Sequence, residues 1–236
     1  MTASTSAPRQ RGRPPRIAPS RQETREALIR CGTELLTEKA FLSTGLDEML
    51  KRAGVAKGSF YHYFASKDTF GLLVVDNYDA CFCRKLDRLL LAPGTPPLTR
   101  LAAFMQEGMD GMRRHDFRRG CLIGNLAQEL ASLHEGFRLR LQQAFAGWRQ
   151  RVCTCLEAAR ADGEIAAETD CLALAGFFWM GWEGAVLQAK LVQDAEPLTV
   201  FAAQFFSLLG RPDRAPAATA DSVPTVEDPH VQSHPD

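Results

Sequence analysis

Nowhere in its 236 residues does the chain approach the ~20 uninterrupted apolar residues needed to cross a bilayer, and no apolar core follows its N-terminal arginines. Neither a membrane protein nor an exported one is expected, so the chain is read as cytoplasmic. Strand signals are also missing: there is no sustained two-residue alternation and no Asn-Gly or Asp-Gly hairpin between alternating runs. An all-α fold is the expectation. Internal repeats are absent, as are Gly-x-Ser-x-Gly, a phosphate-cradling glycine loop and His-Glu-x-x-His; only His62, His115 and His134 precede the C-terminal tail. No catalytic constellation can be assembled, which argues against an enzyme. The seven cysteines are an odd number with no disulfide framework, and Cys81/Cys83 and Cys153/Cys155 are two apart in helical patterns, where such residues face different sides. Neither a metal site nor a cofactor is expected.

Net charge is zero as well, but the charges are unevenly placed. Residues 1–67 hold 12 Lys and Arg against 6 Asp and Glu, and residues 1–21 hold five arginines and no acid. One end of the chain is therefore suited to a polyanion. Residues 1–20 and 211–236, rich in Pro and small polar residues, carry no apolar period and are expected to be disordered tails.

Between the tails the apolar spacing predicts helices throughout. Ala27, Leu28, Cys31, Leu35 and Leu36 define a first helix over about 21–39, and a short second one follows over 46–52. Thr44 with Asp47 outlines a capping box for the second helix, and Gly54 marks its end. A third is expected over about 57–64, then a long helix capped by Ser66 and stopped by Pro93–Pro97, then five amphipathic segments reaching Leu209. The two short helices around Ala53–Ala56 have the dimensions of a helix-turn-helix. Phe60 and Phe64 would face inward, leaving Lys57, Ser59, Tyr61, His62 and Tyr63 for phosphates and base edges.

The run Gly54-Val55-Ala56-Lys57-Gly58-Ser59-Phe60-Tyr61-His62-Tyr63-Phe64-Ala65-Ser66-Lys67-Asp68 resembles the signature of the TetR family of repressors. The resemblance implies a DNA-binding domain over 21–67, a ligand-binding and dimerisation domain over 68–210, a homodimer, a near-palindromic operator and a small-molecule inducer. It further implies that Lys57 and Ser59 reach bases, that Tyr61, His62 and Tyr63 hold the backbone, and that Thr44 and Lys67 touch phosphates. Two positions depart from the pattern: Ala40 replaces the usual glycine after the first helix, and Gly45 a hydroxyl residue. Arg11-Gly12-Arg13-Pro14 resembles an AT-hook core, in which Arg11 and Arg13 enter a narrow minor groove. The alternative is a tail that binds phosphates without selectivity, which would suit an architectural DNA-binding protein.

Two further strings, Gly120 to Leu126 and Leu187 to Lys190, resemble a TetR branch of NemR-like and AcuR-like repressors responsive to electrophiles or acrylate. Lys190 is the only basic residue between Cys171 and Glu196. A cation beside Cys121 would lower its thiol pKa and expose a thiolate to an unsaturated ligand, or would pair with a small carboxylate. Cys121 as an inert small hydrophobe and Lys190 as a residue snorkelling from a helix end remain open. Other pocket candidates are Tyr78, Phe82, Met105, Met109, Met112, Asn125, Gln128, Glu129, Phe177, Trp179, Trp182 and Glu183, many of which fit plain core equally well. Phe177, Phe178, Trp182, Phe201, Phe205, Phe206, Leu208 and Leu209 predict a two-fold four-helix interface at the C-terminal end.

Overall fold

A computed structural model describes residues 20–209; the Arg11 and Arg13 reading and the C-terminal tail lie outside them. Among the described residues there are nine helices and no strand, so the fold is all-α. Three form the N-terminal unit: α1 (Arg21–Glu38), α2 (Leu46–Arg52) and α3 (Phe60–Tyr63). Then come α4 (Lys67–Leu90), α5 (Pro97–Arg113), α6 (Leu122–Leu130), α7 (Glu135–Ala161), α8 (Cys171–Val192) and α9 (Glu196–Leu208).

Local chemistry sets most of these boundaries. Ser20 and Glu23 form a full capping box on α1, and Ser66 Oγ accepts the Thr69 N–H at the start of α4. After α2, Gly54 at φ +67° takes the left-handed conformation; the Gly54 N–H donates to Lys51 O and the Val55 N–H to Leu50 O. Those two bonds are a Schellman close, which satisfies carbonyls the helix end would orphan. The expected capping box at Thr44 does not form. Gly45 is the cap, without a side-chain bond, and the Thr44 hydroxyl instead donates to Ala40 O at 2.7 Å. The third helix is also shorter than expected: Gly58 at φ +89° breaks the helical path, leaving Lys57 and Gly58 in the turn. Ala40 in place of glycine causes no strain, because α1 ends in an extended Lys39 and needs no left-handed residue.

The larger body is built on α7, which packs against α8 on one side and α4 on the other. Its fully buried Trp148 lies among Phe82, Trp179 and Phe145, with the Trp148 and Trp179 rings 5.2 Å apart. The Trp148 indole N–H donates to Asp79 on α4 at 2.8 Å, and Arg140 and Arg151 on α7 pair with Asp76, Asp79 and Asp87. α4 is thus stitched along its length to the body while its first turn carries the N-terminal unit.

Candidate DNA-reading element and ligand cavity

The aromatic cluster of Phe60, Phe64 and Phe70, with ring centroids 4.8–5.6 Å apart, anchors α3 to α4. Arg21 donates to His62 O at 2.6 Å and Arg25 lies over the Phe64 ring, so α1 holds the other side. This rigid backing leaves one edge outward. Tyr61 is 68% exposed, Lys57 and His62 are exposed, and Ser59 and Tyr63 are half-buried, Tyr63 packing against the core. Lys57 is 2.8 Å from Asp47; being fully exposed, the pair is weak and can be exchanged for a phosphate or a base.

Two expected phosphate contacts are corrected. Thr44 is 6% exposed with its hydroxyl proton directed at Ala40 O. The Lys67 ammonium folds inward, donating to Phe41 O at 2.7 Å and Leu42 O at 3.3 Å over the Phe41 ring. Carbonyls at a helix end and turn need donors, and these two residues supply them.

The same turn is gripped from the other side by α6. The Glu129 carboxylate accepts the N–H groups of Phe41 (2.6 Å) and Leu42 (2.8 Å), and the Asn125 amide donates to Leu36 O and Thr37 O, both at 3.2 Å. Just ahead of α6, the Gly120 N–H donates to Thr37 O, and Arg119 pairs with Glu38 at 2.8 Å. Asn125, Gln128, Glu129 and Lys190 line a cleft of about 290 Å³ at this junction. Asn125, a pocket candidate from the sequence, lines this cleft with its amide already committed to the end of α1.

The first residue of the α6 segment, Cys121, faces a different space. Its Sγ accepts the Gly124 N–H at 3.4 Å as the helix cap. It borders a cavity of about 280 Å³ walled by Tyr78, Phe82, Met112, Trp182 and Glu183, with Lys85, His115 and Arg119 also lining it. A second space of about 490 Å³, between α7 and α8, is lined by Gln142, Phe145, Arg149, Trp179 and Met180, and again by Glu183. The α7 residues carry no short-range signal for this role, since their partners on α8 are some thirty positions away. Met105 and Met109 are buried, Met109 accepting the Thr199 hydroxyl, and Phe177 is exposed.

The cation expected beside Cys121 is not the group found there. Burial pushes the Cys121 thiol well up, and Glu183, not Lys190, is the charged group that adds to the effect. Burial likewise raises Glu183 to about 7 against a countering hydrogen bond with Cys121, and raises the Tyr78 hydroxyl well above its usual range. Lys190 runs its stem past Gly120 toward the other cleft, where burial lowers its pKa.

The expected interface is corrected in composition. Phe178, Trp182, Phe205 and Leu209 are buried within the protomer. The exposed stripe on α8 is Leu172, Met180, Leu187 and Leu191, in register with Gly176 and Gly184, and α9 adds Val200 and Leu208.

These features coincide with the comparisons to known proteins. Residues 28–70 match the family model "Bacterial regulatory proteins, tetR family", and residues 97–205 match "Tetracyclin repressor-like, C-terminal domain". The chain is 48% identical over 195 residues to transcriptional regulator AcuR of Cereibacter sphaeroides, covering 83% of this chain and 89% of that one. It is 32% identical over 190 residues to the HTH-type transcriptional repressor NemR of Escherichia coli K12, covering 80% and 96%. The crystal structure of a regulatory protein TetR from Rhodobacter sphaeroides superposes with a TM-score of 0.76 at 47% identity, covering 78% of this chain and 97% of that one. The chain belongs to the TetR family of transcriptional regulators, in the branch that holds AcuR and NemR.

Proposed function

We propose that this regulator binds a near-palindromic operator as a homodimer and releases it when a small unsaturated carboxylate, of acrylate size or somewhat larger, enters the cavity beside Cys121. The observation that carries the reading is the double placement of α6. Its N-cap forms part of the cavity wall, and one and two turns later Asn125 and Glu129 hold the backbone of residues 36–42. A ligand that shifts the first turn of α6 must disturb the bonds that position the DNA-reading unit, and this gives the two states unequal ligand affinity. The division of labour runs near Lys67, with residues 21–67 reading DNA and 68–210 sensing and dimerising. Lys57, Ser59, Tyr61, His62 and Tyr63 are the DNA-contacting set.

Of the basic groups on the cavity lining, Lys85 and Arg119 are paired with Glu107 and Glu38, which leaves His115, without an ion pair among the described residues, to meet an anionic ligand, while Tyr78, Phe82 and Trp182 offer an apolar wall for its body. The protonated state of Cys121 favours reversible occupancy over attack on the double bond. The exposed stripe on α8, with no side chain at Gly176 and Gly184 to hold a partner off, suits isologous pairing of α8 and α9. With no described helix long and apolar enough to span a membrane, the protein is read as acting in the cytoplasm.

Fluorescence anisotropy on DNA flanking the gene tests the coupling. Acrylate should weaken binding by the wild type, and Asn125→Ala should reduce that effect several-fold while still binding acrylate by calorimetry. An unchanged ligand effect in Asn125→Ala contradicts the route through α6.

A further inference from the structure

Among the described residues no cation pairs with Glu183. It borders both the 280 Å³ and the 490 Å³ spaces, and a Cβ on Gly124 would collide with its Oε2, so glycine at 124 is what lets the carboxyl lie against the first turn of α6. The groups facing it are the Tyr78 hydroxyl from α4 and the Cys121 thiol from the α6 cap, both held in their neutral forms by burial. Of the charged groups bordering these spaces, Lys85 on α4 pairs with Glu107, and Arg119 pairs with Glu38 and lies 3.8 Å from Glu34 on α1. His115 follows α5, Arg149 on α7 lines only the larger space, and Lys190, further along α8, serves the other cleft.

Building on the carboxylate reading above, we infer that Glu183 selects the ligand by meeting its carboxylate as a neutral acid: the Glu183 O–H donates to a ligand oxygen, and a proton is taken from solvent wherever the acid of the free protein is ionised. An ionised Glu183 would instead set two like charges side by side, and the ligand would be rejected. The arrangement supplies the required proton near neutrality, because burial alone raises the acid to about 7. It also predicts tolerance for uncharged amides of the same shape, which either form of Glu183 can hydrogen-bond.

Isothermal titration calorimetry with acrylate as the probe, in phosphate and in Tris buffer, reads the proton directly. For the wild type the apparent Kd should rise about tenfold between pH 6 and pH 8, with about 0.9 proton taken up per ligand at pH 8. Glu183→Gln should bind acrylate with no pH dependence and no buffer-dependent heat, and acrylamide should bind the wild type almost independently of pH. Acrylate binding by the wild type with a flat pH profile and no uptake overturns this inference and leaves the carboxylate reading standing. Absence of acrylate binding even at pH 6 overturns both.

Discussion

Glu129→Ala removes the two hydrogen bonds through which α6 holds the turn after α1, and the structure sets their size. The acceptor is ionised and the distances are 2.6 and 2.8 Å, so each bond belongs to the charge-assisted class at roughly 1.5–3 kcal/mol when buried. The two are not equal. Phe41 is 2% exposed, so its N–H has poor access to water once the carboxylate is gone, whereas Leu42 is 53% exposed and its N–H rehydrates. The first bond therefore dominates, and the loss should be about 2 kcal/mol in total. For a chain of this size that lowers Tm by about 4–8 °C. Urea unfolding at matched protomer concentration is the assay, with the midpoint expected to fall at unchanged slope. Loss of less than about 0.5 kcal/mol would refute the claim that Glu129 anchors the turn. The same variant should also bind operator less tightly without ligand, since the turn positions α2 and α3.

The remaining predictions concern pH and assembly. Glu183 holds its proton to about pH 7 in the folded chain against an ordinary 4.5, so its stabilising contribution is complete below about pH 4.5 and is lost as pH rises through 7. The span corresponds to at most about 3 kcal/mol, so Glu183→Gln should match the wild type at pH 4.5 and exceed it in stability at pH 8. Equal stability at both pH values would count against the buried-acid assignment. Met180→Glu combined with Leu191→Glu places charges on the exposed α8 stripe and should give monomers by light scattering at micromolar concentration with helicity retained. A persistent dimer would move the interface elsewhere.

Legibility in the sequence divides along the distance over which each feature is determined. Ser66 as a cap, Gly54 as a left-handed stop and the Phe60/Phe64 pair are short-range facts, and the structure has each as expected. The orientation of Thr44 and Lys67 was not readable. Both looked like outward polar groups, but the carbonyls of residues 40–42 required donors, and that need appears only once the turn is folded. The α8 and α9 aromatics were too numerous for one helix pair by spacing alone. They fit because α5 and α7 contribute Phe104 and Trp148 to the same cluster, leaving Met180, Leu187 and Leu191 as the outward stripe. The sequence pattern suggests Lys190, nearly seventy residues away, as the neighbour of Cys121. At that separation no spacing distinguishes it from Glu183, two helical turns earlier on α8.

The most direct test of the account is a competition titration of operator against random duplex for the wild type and for Lys57→Ala with Tyr61→Ala. Tyr61 and Lys57 form the exposed edge proposed to read DNA, so the wild type should prefer operator by about a thousandfold or more, and the double variant should keep its fold and lose that preference. Retained operator preference in the double variant, or a wild type that binds random duplex equally well, would contradict the account.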